Sequence, residues 1–267
     1  MATGRKRKQQ CSIKKKRRRL KRRIKAWCAR ILVLFTLFLL VFLVVWGGIW
    51  VWRLLTGADE TFVGARIIED LGFQKDDRIV VVLDAGHGGR DQGTNSGDVL
   101  EKEINLKVAE RLAEVLEDAD VKVLLTRTDD TKVGLEERAS YANEQKADLF
   151  VSIHCNYCED DAGVNGLECY YREDSAEGKA LAEQVVEGIE GDSTIPCRGT
   201  RTANFRVLTK TRMPAVLVEI GYLSNRDECA KLTEESYQKL LVQRLAAGIL
   251  AYKDTLVEPL PEDDISE

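Results

Sequence analysis

Histidine is scarce in this 267-residue chain: His87 and His154 are its only two. Each follows or ends an apolar run that reads as a β-strand, Arg78–Asp84 (RIVVVLD) ahead of Gly86-His87-Gly88-Gly89, and Leu149–His154 (LFVSIH). In an open α/β sheet the carboxyl edge of the strands is where ligands bind, so scarcity and position point to the same place. A lone histidine is more often a satisfied surface or core residue. Two at equivalent strand ends, one inside a glycine turn that permits close approach of a metal or substrate, favour a site. A catalytic zinc site needs three protein ligands and an open position, and two histidines with one carboxylate form an established set. The third ligand is then sought at Glu101-Lys102-Glu103, which opens the next amphipathic stretch. Acidic residues at a helix start also complement the helix dipole, so the pattern alone leaves both Glu101 and Glu103 open.

Positioning these residues requires a scaffold, and from Arg78 the chain alternates apolar runs with amphipathic stretches. Strands are expected at Arg78–Asp84, Val121–Thr126, Leu149–His154, Gly166–Tyr171 (GLECYY) and Ala215–Ile220 (AVLVEI), with a short one at Val207–Leu208. Helices are expected at Lys102–Asp118, Leu135–Lys146, Ala176–Ile189 and Glu235–Lys253. That alternation predicts an α/β fold, an open and mostly parallel sheet with helices on both faces.

Charge divides the chain. Fifteen of its 40 Lys and Arg fall in residues 1–30, which hold no Asp or Glu, leaving 25 basic against 44 acidic side chains beyond. The remainder is strongly acidic, which the whole-chain value of −4 conceals. Residues 31–52 are a 22-residue uncharged run, roughly 33 Å long as a helix and enough to cross a bilayer core of about 30 Å. A cleaved signal peptide would have a shorter apolar region ending in small residues. This one ends Gly-Gly-Ile-Trp-Val-Trp, favouring a single uncleaved N-terminal transmembrane helix. Beside such a span the basic run is a cytoplasmic flank rather than a nucleic-acid tail, which puts the rest outside the cytoplasm. The expected organisation is a basic tail (1–30), an anchor (31–52), a stalk (53–77), a catalytic domain (78–255) and a disordered acidic tail (256–267).

Four blocks in order resemble the zinc-dependent N-acetylmuramoyl-L-alanine amidases often called amidase type 3. They are Leu83-Asp84-Ala85-Gly86-His87-Gly88-Gly89, Leu100-Glu101-Lys102-Glu103-Ile104-Asn105-Leu106, Val151-Ser152-Ile153-His154-Cys155-Asn156, and the run from Met213 to Asn225 containing Val218-Glu219-Ile220-Gly221. Thr126-Arg127 and Arg138-Ala139-Ser140-Tyr141-Ala142-Asn143 extend the match. The resemblance implies His87, Glu101 and His154 as zinc ligands and Glu219 as the catalytic carboxylate. It departs from the family at Ala85, commonly Pro, and at Cys155, commonly a small residue. Strand alternation turns Cys155 away from the metal and into packing. Cys155 and Cys158 have C-x-x-C spacing but no thioredoxin-like context or second pair. With Cys169, Cys197 and Cys229 there are five cysteines beyond the anchor, so at least one is unpaired. Asn156 and Arg198 fall near the expected site wall, where polar residues are as often structural.

The implied reaction is zinc-assisted hydrolysis of the amide between N-acetylmuramic acid and L-alanine of peptidoglycan. Glu219 would take the water proton and deliver it to the departing amine. Two alternatives are a zinc peptidase acting within the stem peptide and a noncatalytic wall-binding protein of the same fold. The second would be expected to lack Glu219.

Overall fold

The computed structural model describes residues 35–48 and 76–257, and the chain divides into two compact units, Met1–Asp76 and Asp77–Glu267. In the first, residues 35–48 are helical and their apolar side chains, Phe38, Val41, Val44 and Trp46 among them, are exposed. The ends of the 31–52 run, the basic tail and most of the stalk lie outside the described residues, as does the acidic tail beyond Val257. Among the described residues no helix is long and apolar enough to cross a membrane.

The second unit carries a six-stranded sheet in the order β4-β1-β5-β8-β6-β7. Its strands are β1 (Val80–Ala85), β4 (Lys122–Leu125), β5 (Leu149–Asn156), β6 (Leu167–Tyr171), β7 (Cys197–Thr202) and β8 (Ala215–Tyr222). A two-stranded ribbon of β2 (Asn95–Ser96) and β3 (Val99–Leu100) stands apart. β4, β1, β5 and β8 are mutually parallel, whereas β6 pairs antiparallel with β8 and parallel with β7. The sheet is thus mixed and mostly parallel. The central strands β1, β5 and β8 are near-continuous apolar runs because helices cover both faces.

Alternation decides which side chains go to which face. Val81 and Leu83 of β1, Val151 and Ile153 of β5, and Val216 and Val218 of β8 enter the larger core. They pack there with α1 (Glu101–Asp118), α3 (Ala176–Glu190) and α6 (Glu235–Val257). On α1 the buried Ile104, Val108, Leu112 and Leu116 recur at helical spacing. The opposite face is covered by two short helices, α2 (Leu135–Glu144) and α4 (Arg206–Lys210), over Val82, Phe150 and Leu217.

Three elements differ from expectation. Val207–Leu208 is not a strand but the buried part of α4. Two residues are too few to show a period, and Thr209 N–H bonding to the Phe205 carbonyl at 2.9 Å closes a helical turn. β7 (CRGTRT) has no apolar alternation because it is a half-exposed edge strand, and it was invisible to hydropathy. A further helix, α5 (Arg226–Thr233), precedes α6. Its signal was present in Asn225, whose side chain accepts from the Asp227 and Glu228 amides as an N-cap.

Candidate active site

β1 ends at Ala85, and the Gly86–Gly89 turn throws His87 back over the carboxyl edge of the sheet with φ 60°. A non-glycine residue in that region costs on the order of 1 kcal/mol or more and persists only when its surroundings over-determine it. Here they do. Asp84, fully buried, accepts from Arg138 Nη1 (2.6 Å), Thr126 Oγ1 (2.6 Å) and Ser152 Oγ (2.7 Å). Arg138 then reaches the Ala85 carbonyl with Nη1 and the His87 carbonyl with Nη2, both at 2.7 Å. Arg127 donates to the carbonyls of Ala85 (2.9 Å), Gly86 (3.0 Å) and Lys102 (2.7 Å), which ties the turn to the start of α1. Gly86 is obligatory for another reason: a Cβ there would lie 2.3 Å from the His154 imidazole.

Arg138→Met is accordingly expected to leave Asp84 as an uncompensated buried carboxylate. Loss of one partner from such a pair costs about 3–5 kcal/mol. Denaturant unfolding should show that loss, and a midpoint unchanged from wild type would remove Arg138 from the support of the turn.

His154 is carried by β5 next to a register shift between His154 and Asn156, and Glu101 is the first residue of α1. Oxygen Oε1 of Glu101 lies 2.9 Å from His154 Nδ1 and 3.2 Å from His87 Nε2, and one nitrogen or oxygen from each of the three residues falls within 4.8 Å of the others. The two rings meet edge to face, 4.9 Å between centroids. His87 donates from Nδ1 to Asp91 Oδ1 at 2.9 Å, which turns Nε2 toward the cluster as a lone-pair donor. Glu101 is held by the Thr94 amide on Oε2 (2.8 Å), and by the Cys155 amide (3.1 Å) and Asn105 Nδ2 (3.2 Å) on Oε1. Burial alone would raise the Glu101 carboxyl. The hydrogen bonds and charges of His154 and His87 overcome it and hold the group well below the usual carboxylate range. For His87, burial opposes protonation, but Glu101 and Asp91 outweigh it and the net shift is upward.

Glu103, the other carboxylate that the spacing left open, is exposed and outside the cluster. Two imidazole nitrogens and one buried carboxylate oxygen, with an aspartate orienting one ring, form a donor set that fits a borderline divalent cation. Thiolate takes no part. Cys155 is buried in the main core with Sγ 3.6 Å from Asn105 Oδ1, and burial pushes its thiol well up. All five described cysteines are free, so no disulfide joins the C-x-x-C pair.

Glu219 lies on β8 directly beside His154 in the parallel register and directly opposite Glu168 of β6 in the antiparallel one. His154, Glu219 and Glu168 therefore form a row across three neighbouring strands, on the face that the short α2 and α4 cover only in part. Oε2 of Glu219 is buried without a hydrogen-bond partner among the described residues. Desolvation pushes the carboxyl up to about 7, and the charges of Glu101 and Glu168 add to it while His154 and His87 oppose it. A buried polar atom without a partner is costly, and a carboxyl poised near neutrality suits proton transfer. Glu168 differs sharply. It accepts from Arg198 Nε (2.8 Å), Arg201 Nε (2.8 Å), Tyr170 Oη (2.7 Å) and Asn156 Nδ2 (3.4 Å), which outweigh its burial and lower its pKa.

Fold and site together define an α/β protein with a three-residue cluster that could hold a metal ion at the carboxyl edge of its sheet and a protonatable carboxylate alongside. Residues 81–251 match the family model described as N-acetylmuramoyl-L-alanine amidase. The chain is 37% identical over 175 residues to the probable cell wall amidase LytH of Staphylococcus aureus, covering 64% of this chain and 57% of that protein. Among solved structures, it is 42% identical to the N-acetylmuramoyl-L-alanine amidase AmiC2 of Nostoc punctiforme (TM-score 0.63), covering 66% of this chain and 97% of that one. It is 37% identical to an N-acetylmuramoyl-L-alanine amidase from Clostridium difficile (TM-score 0.65), covering 67% and 98%. The chain belongs to the N-acetylmuramoyl-L-alanine amidase family, and its enzyme class is that of a peptidoglycan amidase.

Sequence reasoning had singled out His87, Glu101, His154 and Glu219, and the structure brings all four to one edge. It passed over Asp84, Asp91 and Glu168. Asp84 and Glu168 carried the same signal as Glu219, a carboxylate inside an apolar strand. Asp91 had none, since only the turn geometry brings it to His87.

Proposed function

We propose that this chain is a membrane-anchored, zinc-dependent peptidoglycan hydrolase that cleaves the amide between N-acetylmuramic acid and L-alanine, with His87, Glu101 and His154 as ligands and Glu219 as the proton-transfer group. The observation that carries the reading is the coincidence of the His87–Glu101–His154 cluster with Glu219 one strand away from His154, its Oε2 buried and without a hydrogen-bond partner among the described residues. When bound, zinc supplies Lewis-acid chemistry, polarising a carbonyl and acidifying water. The protein does the rest. Asp91 and the Arg138-braced turn orient His87, the Thr94 and Cys155 amides and Asn105 orient Glu101, and Glu219 accepts a proton from water and returns it to the amine.

Purified full-length chain in detergent should release intact stem peptides beginning with L-alanine from peptidoglycan, and a chelator should stop the release. Product masses separate this from cleavage within the stem peptide, and absence of any product would leave only a wall-binding role. Topology is tested independently. The apolar run 31–52 flanked by the basic tail is proposed as the anchor, so a C-terminal reporter active only outside the cytoplasm should give signal. Protection of residues 76–257 from protease added to intact protoplasts would reverse the orientation.

A further inference from the structure

Beyond Glu219 the row continues to Glu168, and there the charges do not balance. Glu168 is buried, 3% exposed at its side chain, yet two guanidiniums rather than one converge on its Oε1, those of Arg198 and Arg201 from the edge strand β7. One carboxylate needs one cation, and Asn156 and Tyr170 already satisfy Oε2. The trio therefore keeps one positive charge in excess, in a domain that is otherwise strongly acidic. Both arginines use Nε for the bond to Glu168. Their side chains remain 38% and 44% exposed, and among the described residues neither has a hydrogen-bond partner for its Nη atoms. Arg198 is braced further by lying over the Tyr222 ring, 5.9 Å from its centroid. Two guanidiniums anchored at Nε with free Nη ends are a preorganised receptor for an oxyanion.

We propose that Arg198 and Arg201, held by Glu168, bind a carboxylate of the peptide on the leaving-amine side of the scissile bond. The inference rests on the amidase reading for the identity of that peptide. The glycan side of such a substrate is built of neutral N-acetylated sugars, so the anionic group must come from the peptide. The register supports the placement, because Glu168 stands opposite Glu219 on the adjacent strand, roughly two strand spacings or about 10 Å from His154. A peptide running across the strands from the reacting amide covers that distance in about three extended residues. Glu168 is a positioning residue here, and the arginines make the contact.

The test compares binding of two soluble stem peptides, identical except that one carries free carboxylates and the other carboxamides, to the full-length metal-loaded chain. Binding is read by calorimetry. Wild type should hold the acid roughly ten- to a hundredfold tighter than the amide, the range of a charge-assisted pair of hydrogen bonds. In the Arg198→Lys/Arg201→Lys double variant each cation can still satisfy Glu168, but the second row of donors is gone. Its thermal midpoint should stay near wild type while the preference for the acid collapses. Equal binding of acid and amide by wild type, which needs no variant to fold, would overturn the proposal, and so would a double variant that keeps the full preference. Failure of the amidase reading looks different: wild type would release no stem peptide from wall, whatever its preference between the two ligands.

Discussion

His154→Ala is expected to release the metal and reduce wall hydrolysis to background, and Glu101→Gln to do nearly the same. The three donors lie within 4.8 Å of one another, and among the described residues no other His, Cys, Asp or Glu joins the group. Cys155, the nearest candidate in sequence, is turned into the core with a thiol held protonated by burial. A neutral amide at Glu101 is a poorer ligand for a dication, and its NH₂ group would face one of the two backbone amides, Thr94 on Oε2 or Cys155 on Oε1, that now donate to the carboxylate. Asp91→Ala gives the graded comparison. It removes the group behind His87 without touching a ligand, and such losses cost about 10–100-fold in metal affinity or activity. Metal per chain should therefore follow the order wild type, Asp91→Ala, then His154→Ala and Glu101→Gln near zero. Full metal occupancy in His154→Ala would mean that the cluster is not the metal site.

The sequence made the parallel part of the fold legible because β1, β5 and β8 are buried on both faces, so their apolar runs stand out. Legibility failed at the edge. β7 presents one face and one side to solvent, and its CRGTRT carries no hydrophobic pattern although it positions both arginines that hold Glu168. The antiparallel pairing of β6 with β8 was equally silent, since direction is set by how the chain returns and not by composition. That pairing is what places Glu168 opposite Glu219. Within the site, histidine scarcity and strand-end position found the two histidines of the cluster, but choosing Glu101 over Glu103 needed either the family resemblance or the helix phase that exposes Glu103 and buries Glu101. Arg127 and Arg138 were recognised only as parts of motifs. Their work is visible only once the chain-distant carbonyls of Ala85, Gly86, His87 and Lys102 are seen converging on them.

Glu219→Gln should separate chemistry from metal binding and, in the same protein, separate stability from activity. Glutamine keeps the size of the side chain and leaves His87, Glu101 and His154 in place, so metal content should remain near wild type. Hydrolysis should fall by about 10²- to 10⁴-fold, the usual loss for a general acid–base group and roughly 3 to 5 kcal/mol of barrier. Stability should move the other way in metal-stripped protein. The carboxyl is pushed up from 4.5 to about 7, chiefly by desolvation. Between those values the folded chain keeps a proton that the unfolded chain has released, so this residue's favourable contribution is complete below about 4.5 and declines as pH rises through about 7. The decline amounts to about 3 kcal/mol at most by pH 8. Glutamine does not titrate, so the variant should lose that slope and exceed wild type in denaturant midpoint at pH 8 while matching it near pH 4. A substitution that stabilises the fold where it disables the reaction marks a group kept buried for its chemistry. If Glu219→Gln hydrolyses wall at close to the wild-type rate, Glu219 is not the proton-transfer group, even with the metal cluster intact.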